Sequence, residues 1–347
     1  MDYTVKYAST IAERFKKGSI TNGCAGHDYD FTGAKAVKVY SMVPAKLVDY
    51  QRGSSRYGTV TDLEYTSQEM LCTQAKAFTK HLDALDGSDM AVGSAAGKFL
   101  RMQLDEIITP EMDKYRLKKW VMGAATLKQM AAEPTADTIV GDIMSLKGAM
   151  GDNLVPDTDL TLFIKTPYFV LLKQAKAVVG LENMGTRAVE KGLVGTFDGM
   201  KVISVPSSWL PEGVYFLIKA KGSTADPVKM AQYDVINKAV GYSGAVVQGL
   251  CYYDSFVIGA KSEGIGVAGS AAAILNAPAL SLSGSTATVT AVSGVTFYAT
   301  VDGSDPRSST SRVEVTDSGL SVPAGATVRC VGEKENCASL ESRAVNS

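Results

Sequence analysis

Histidine is nearly absent from this 347-residue sequence, cysteine is sparse, and neither sign of charge dominates. The two histidines, His27 and His81, adjoin no Ser or Cys in a nucleophile pattern, and there is no H-E-x-x-H and no G-x-S-x-G. That removes the common sequence routes to base-assisted and zinc-dependent hydrolysis. The five cysteines, Cys24, Cys72, Cys251, Cys330 and Cys337, are odd in number, scattered, and free of any C-x-x-C. They fit neither a disulfide framework nor a zinc site, so reduced structural thiols are expected, with no metal and no cofactor. A formal net charge of −1 supplies no global field for extensive phosphate contact or for an anionic membrane. No apolar run reaches the ~18 residues of a membrane span, and Met1-Asp-Tyr-Thr-Val-Lys carries no signal-peptide core. The expectation is synthesis in a cytoplasm and no membrane partner.

What is present is an ordinary globular composition. Hydrophobic residues make up 46% and charged residues 20%, enough for a real core and, at ~150 residues per domain, for about two domains. Residues 1–32 read as an arm that mixes Arg14, Lys16 and Lys17 with Gly18, Gly23 and Gly26. Residues 33–82 hold two strand-like runs, Gly33–Val48 and Glu64–Thr79, around the polar tip Asp49-Tyr-Gln-Arg-Gly-Ser-Ser-Arg-Tyr-Gly-Thr. A lone hairpin is marginal in water, so its missing layer is expected on another molecule. Arg52, Arg56 and Tyr57 at the tip are the candidates for contact with carboxylates of a neighbouring subunit.

A long helix is expected over about 88–125, where Val92, Phe99, Leu100, Leu104, Ile107 and Ile108 recur at helical spacing, with Pro110 kinking or dividing it. A second spans about 136–150 on Ile139, Ile143, Leu146 and Met150, capped by Asp137 or Thr135. Leu160–Lys165 reads as a buried strand and Pro167 opens a short helix. Strands follow at 192–205, 213–220 and 245–261, the first a hairpin turning at Asp198-Gly199. A polar segment with Pro227 and a short helix is placed before the last. Strands and helices interleave without strict alternation, so the class is α+β. The run Gly264-Ile-Gly-Val-Ala-Gly269 matches a dinucleotide string but lacks the helix that must follow, so it reads as small-residue linker chemistry, with the linker itself placed at 269–278. Beyond it, 279–347 forms short alternating runs with turns between them, the pattern of a small β-sandwich. The carboxylate pairs Asp157/Asp159 and Asp302/Asp305 lie in turn sequence, and the second offers too few ligands for calcium.

Several strings carry a resemblance. Asp28-Tyr-Asp-Phe-Thr-Gly-Ala-Lys-Ala-Val-Lys-Val-Tyr, Arg56-Tyr-Gly and Arg101-Met-Gln-Leu-Asp-Glu-Ile-Ile-Thr-Pro-Glu-Met-Asp-Lys-Tyr-Arg resemble the extended-loop entry, loop tip and spine helix of tailed-phage major capsid proteins. Gly195-Thr-Phe-Asp-Gly-Met-Lys-Val-Ile-Ser-Val-Pro is similar to their axial-domain hairpin, and Tyr252-Tyr-Asp-Ser-Phe-Val-Ile to a late core strand. The resemblance covers about residues 1–265. It implies the Hong Kong 97-type fold: N-terminal arm 1–32, extended hairpin 33–82, and a peripheral and axial body 83–268. It also implies hexamers and pentamers of an icosahedral virion shell around double-stranded DNA, a scaffolding protein and portal as partners, and binding without catalysis. Lys16 and Lys17 become candidates for neighbour or DNA contact. No crosslinking lysine, asparagine or glutamate matches.

Val295-Thr-Phe-Tyr-Ala-Thr-Val-Asp-Gly-Ser-Asp-Pro306 resembles the immunoglobulin-like modules at the C-termini of chitobiase-type enzymes and bacterial surface proteins. It implies an outward-facing all-β module over 279–347, with glycan or host-surface contact as a role. The rival reading is a carbohydrate-binding or carbohydrate-active surface protein with an accessory module, which needs a carboxylate pair at hydrolase separation; none is nominated. A cell-surface adhesin is disfavoured by the missing signal peptide.

Overall fold

Seven consecutive residues, Val214–Ala220, are buried on both faces of a sheet, and the body is built around them. The computed structural model describes residues 18–26, 29, 31, 35–42, 47–50, 52, 62–63, 65–83, 95–175, 193–236, 241, 243–316 and 319–346. In chain order the elements begin with β1 (Ala36–Met42), β2 (Tyr65–Leu71) and β3 (Gln74–Asp83). Helix α1 (Ala95–Gln103), a π turn at Leu104–Ile108 and α2 (Thr109–Gly123) follow, then β4 (Thr126–Gln129), α3 (Ile139–Asp152), β5 (Leu160–Lys165) and α4 (Thr166–Gln174). Next come β6 (Leu193–Phe197), β7 (Met200–Val205), β8 (Val214–Ala220), β9 (Thr224–Ala225) and β10 (Val228–Ile236). The body closes with β11 (Gly244–Tyr253), β12 (Phe256–Val257), β13 (Ile265–Gly269) and β14 (Ile274–Leu275). The remaining strands are β15 (Leu280–Ser283), β16 (Thr286–Val289), β17 (Thr296–Thr300), β18 (Val313–Glu314), β19 (Leu320–Ser321), β20 (Thr327–Glu333), β21 (Ala338–Ser339) and β22 (Glu341–Val345).

The central sheet has six strands in the order β4-β13-β8-β5-β7-β6, with parallel and antiparallel neighbours mixed. Period-two alternation divides its side chains between two helical layers. Leu162, Phe216, Ile218 and Ala268 face α3 and α4, where Ile139, Ile143, Leu146, Met150 and Leu172 meet them. Phe163, Leu217, Ile265 and Val267 face α2 through Leu117, Trp120 and Val121. The α3 stripe matches the sequence expectation. Its cap does not: Thr138 is the N-cap, and its hydroxyl accepts the N–H of Thr135, locking the turn before the helix.

Three expectations are corrected. The Gly264–Gly269 run is no linker but β13, a buried inner strand. A Cβ on Gly266 would lie 2.8 Å from Met150 Sδ and 3.1 Å from Leu146, and one on Gly269 2.8 Å from the Gly213 carbonyl. The small residues let α3 and the chain at Gly213 close onto the sheet. The segment after Pro227 is a strand, β10, because β11 offers it an edge and Val228, Tyr233, Val235 and Ile236 suit extended backbone. The second hairpin run divides at Cys72-Thr73: β2 pairs with β1, whereas β3 joins β11 and β10 in a separate sheet. Helical backbone runs on through Pro110 without a break. The strain is taken up just before it by the π turn, where the Thr109 N–H donates to Leu104 O, one residue beyond α-helical reach.

The Asp198-Gly199 turn is as expected, with φ of 48° and 78°. The C-terminal region forms two antiparallel sheets, β15-β16-β19 and β18-β17-β20-β22. They share a core of Ala287, Phe297, Ala299, Val322, Val328 and Cys330.

Candidate assembly surface

Strict alternation gives the β1–β2 hairpin two faces. Val37, Val39 and Met70 turn toward a small core with Phe31, Cys72, Ala225 and Ile258. On the opposite face the register sets Lys38 against Glu69 and Met42 against Tyr65, with Tyr40 between them. Tyr40 is 63% exposed, Met42 69% and Tyr65 56%, and Leu47, Val48 and Leu63 continue the exposed apolar set toward the tip. The Lys38 ammonium lies 5.4 Å from the centre of the Tyr40 ring. A row of large apolar side chains on a two-stranded element is the signature of a contact surface.

The root of the hairpin is fixed by polar contacts. Buried Asp254 accepts the Thr73 N–H and hydroxyl at 2.8 and 3.0 Å and the Tyr115 hydroxyl at 2.8 Å. Burial, and then the Asp254 charge, push the Tyr115 hydroxyl well above its ordinary range, so it remains a donor. The Tyr252 hydroxyl donates to Cys72 O, and the Gln68 amide bridges Val257 O and the Gly259 N–H. These contacts are why the chain changes sheet at Cys72-Thr73.

The described part of the arm is docked on the body. Asp113 accepts the Ser19 and Thr21 hydroxyls and the Ile20 N–H, while Arg116 donates to Thr21. Asp226 accepts the Gly26 N–H and the Trp120 indole N–H. Lys219 donates to Cys24 O and sits 4.7 Å from the Trp120 ring centre. Burial pulls the Lys219 ammonium below its ordinary value, against the opposing pull of Asp226. A buried charge left without its partner is strongly destabilising, so residues 18–26 are structural here.

Of the sequence-derived candidates, Arg52 is exposed at a bend. Arg56, Tyr57, Lys16 and Lys17 lie outside the described residues, so no tip or arm cluster is assembled from them. His81 Nε2 lies 2.9 Å from Ser243 O, a contact of β3 with the residue just before β11. Asp302 accepts the Ser304 N–H and the Ser304 and Ser311 hydroxyls, and Asp305 accepts from Ser262 and pairs with Arg307, so turn and packing chemistry accounts for both. Among the described residues no group of three His, Cys, Asp or Glu is placed to hold a metal. None of the described helices is long and apolar enough to cross a membrane. Tyr40, Met42 and Tyr65 are the residues that sequence reasoning missed. Their signal was present in Val37–Met42, where apolar residues occupy both faces of one short strand.

No family model and no curated protein matches the sequence. Solved structures do match. A chain of Mycobacterium phage Che8 aligns at a TM-score of 0.64 and 14% identity, covering 77% of this chain and 96% of that one. A chain in the capsid structure of the cyanophage P-SCSP1u aligns at 0.63 and 12%, covering 77% and 93%. One in the asymmetric unit of the bacteriophage PhiM1 mature capsid aligns at 0.59 and 8%, covering 78% and 92%. The fold is shared with phage capsid chains. At these identities the likeness establishes architecture and carries no residue-level role.

Proposed function

We propose that this chain is the major capsid protein of a tailed phage. Copies join into hexamers and pentamers of an icosahedral virion shell around double-stranded DNA, with a scaffolding protein and a portal as partners. Its work is reciprocal binding without turnover. The observation that carries this reading is the exposed apolar row Tyr40, Met42 and Tyr65 on a hairpin of a capsid-type fold. The row is suited to lie across an adjacent copy, with Arg52, Arg56 and Tyr57 at the tip meeting that neighbour. Lys16 and Lys17 in the arm are assigned to contact with a neighbour or with DNA. The C-terminal two-sheet module is read as immunoglobulin-like and set on the outer face, where glycan or host-surface contact is open to it. A coverage of 77% is what a match of the body without that module would produce.

Sedimentation and electron microscopy of the purified chain test the proposal. Megadalton shells or hexameric rings are expected, and a strict monomer with glycosidase activity overturns it. Replacing Arg52 and Arg56 together by Glu is expected to abolish shells while leaving the melting temperature of the monomer unchanged. Normal shells from that variant remove the tip from the contact.

A further inference from the structure

The C-terminal module is woven into the body at one end and touches the hairpin at the other. At the first end, β21 pairs in parallel with β14. The Ala338 N–H donates to Ala273 O at 2.9 Å and the Leu340 N–H to Leu275 O at 3.1 Å. Ile274 and Ala338 are fully buried in the same core as Leu117 and Trp120 of α2, with Leu340 packed against it. At the second end, the buried Asp305 carboxylate accepts the Ser262 hydroxyl at 2.8 Å. Three residues on, Ser308 presses against Gly259 so closely that a Cβ there would lie 2.2 Å from its hydroxyl oxygen. The Gly259 N–H in turn donates to Gln68 of β2 at 2.9 Å. Two residues further, the Thr310 N–H donates to Ser67 O at 3.1 Å, and the Thr310 and Ser67 hydroxyl oxygens are 2.7 Å apart.

Arg307 ties the two ends together. Its side chain is only 7% exposed, donates to Ser339 O of β21 at 2.8 Å, and pairs with Asp305 at 3.2 Å and Glu341 at 3.3 Å. A planar guanidinium held at three points is a stiff connector. The position of Thr310 is thereby referenced to the body core and not to a flexible tether. We infer that the module is a brace: its 305–310 loop, positioned through Arg307, sets the direction in which the β1–β2 hairpin leaves the body. Thr310 and Arg307 are positioning residues in this scheme, acting through Ser67 on the exposed apolar row. The brace concerns the single chain and goes beyond the capsid reading, so part of its test is independent of assembly.

Hydrogen exchange on the unassembled full chain provides that part. Replacing Ser67 and Thr310 together by Ala removes the hydroxyl pair without touching either core. Amides of β1 and β2 are expected to exchange roughly threefold to tenfold faster, the range that loss of about one hydrogen bond allows, with β8, β17 and β20 unchanged. Unaltered hairpin exchange overturns the brace. In a second variant, Ser67→Cys with Thr310→Cys, the two sulfurs take the places of hydroxyl oxygens that lie 2.7 Å apart, and a disulfide is introduced by oxidation. The oxidised form is expected to slow hairpin exchange and to form shells in the same yield as the reduced form. Shells that appear only after reduction overturn the brace, because the hairpin must then leave the module to assemble. Slowed exchange with no shells in either redox state supports the brace and counts against the capsid reading instead.

Discussion

The hairpin and the C-terminal module are both small all-β pieces, yet they are stabilised in different ways. The module closes two sheets over Phe297, Val328 and Cys330. It adds a half-buried ion network in which Glu341 accepts from Arg329 at 2.6 and 2.8 Å. The hairpin has a single layer, with one face on Phe31, Ala225 and Ile258 and the other, with Tyr40, Met42 and Tyr65, facing outward. A piece with its own core carries its order with it. A two-stranded piece takes its order from whatever it leans on, here Asp254, Val257, Gly259 and Thr310. The difference separates two uses of β-structure in one chain, one for stability and one for contact.

Substitutions at matched depth break this comparison most strongly in the module. Phe297→Ala is expected to cost about 3–5 kcal/mol, the usual range for emptying a buried aromatic site, measured by urea denaturation. An effect below ~1 kcal/mol would mean that the module core is not closed.

Acid provides the next largest effect. Burial alone raises the Glu341 carboxyl, but hydrogen bonds from Arg329 and Arg343 and the nearby Arg307 charge outweigh it and hold the pKa down to about 2. A depressed carboxylate contributes stability that is complete above its unfolded value near 4.5 and is lost as pH falls toward 2. Discounted for partial solvent screening, the contribution is on the order of 2 kcal/mol. Melting temperatures of the module between pH 5 and 2 are expected to fall in the native chain. In Glu341→Gln they should start lower and change less over that window.

The smallest stability effect falls on the hairpin. Tyr40→Ser with Tyr65→Ser is expected to change the unfolding free energy by no more than about 0.5 kcal/mol, while shell yield drops sharply. A large loss of stability in the monomer would show that the row is already covered within one chain.

Much of the body was legible because its signals are local. The i, i+3, i+4 spacing of Ile139, Ile143, Leu146 and Met150 predicts α3 and its buried stripe. Asp198-Gly199 predicts the β6–β7 turn because few other pairs tolerate positive φ at both positions. The strands of the C-terminal region follow from alternation between turn signals. The errors share a different cause. Gly264–Gly269 has linker composition, and only the approach of α3 to Gly266 explains why small residues belong in a central strand. The run 64–79 reads as one strand until Asp254, some 180 residues later, captures Thr73 and ends β2.

The sequence by itself determined which faces are apolar, where the turns fall, and that the chain mixes helices with sheets. Those properties depend on neighbours a few residues apart. The tertiary structure decided which strands share a sheet, that the arm segment 18–26 is held by buried charges, and that the C-terminal module reaches back to Ser67. Each of these rests on partners distant in the chain, and a hydrogen bond or a buried charge has no meaning until its partner has arrived.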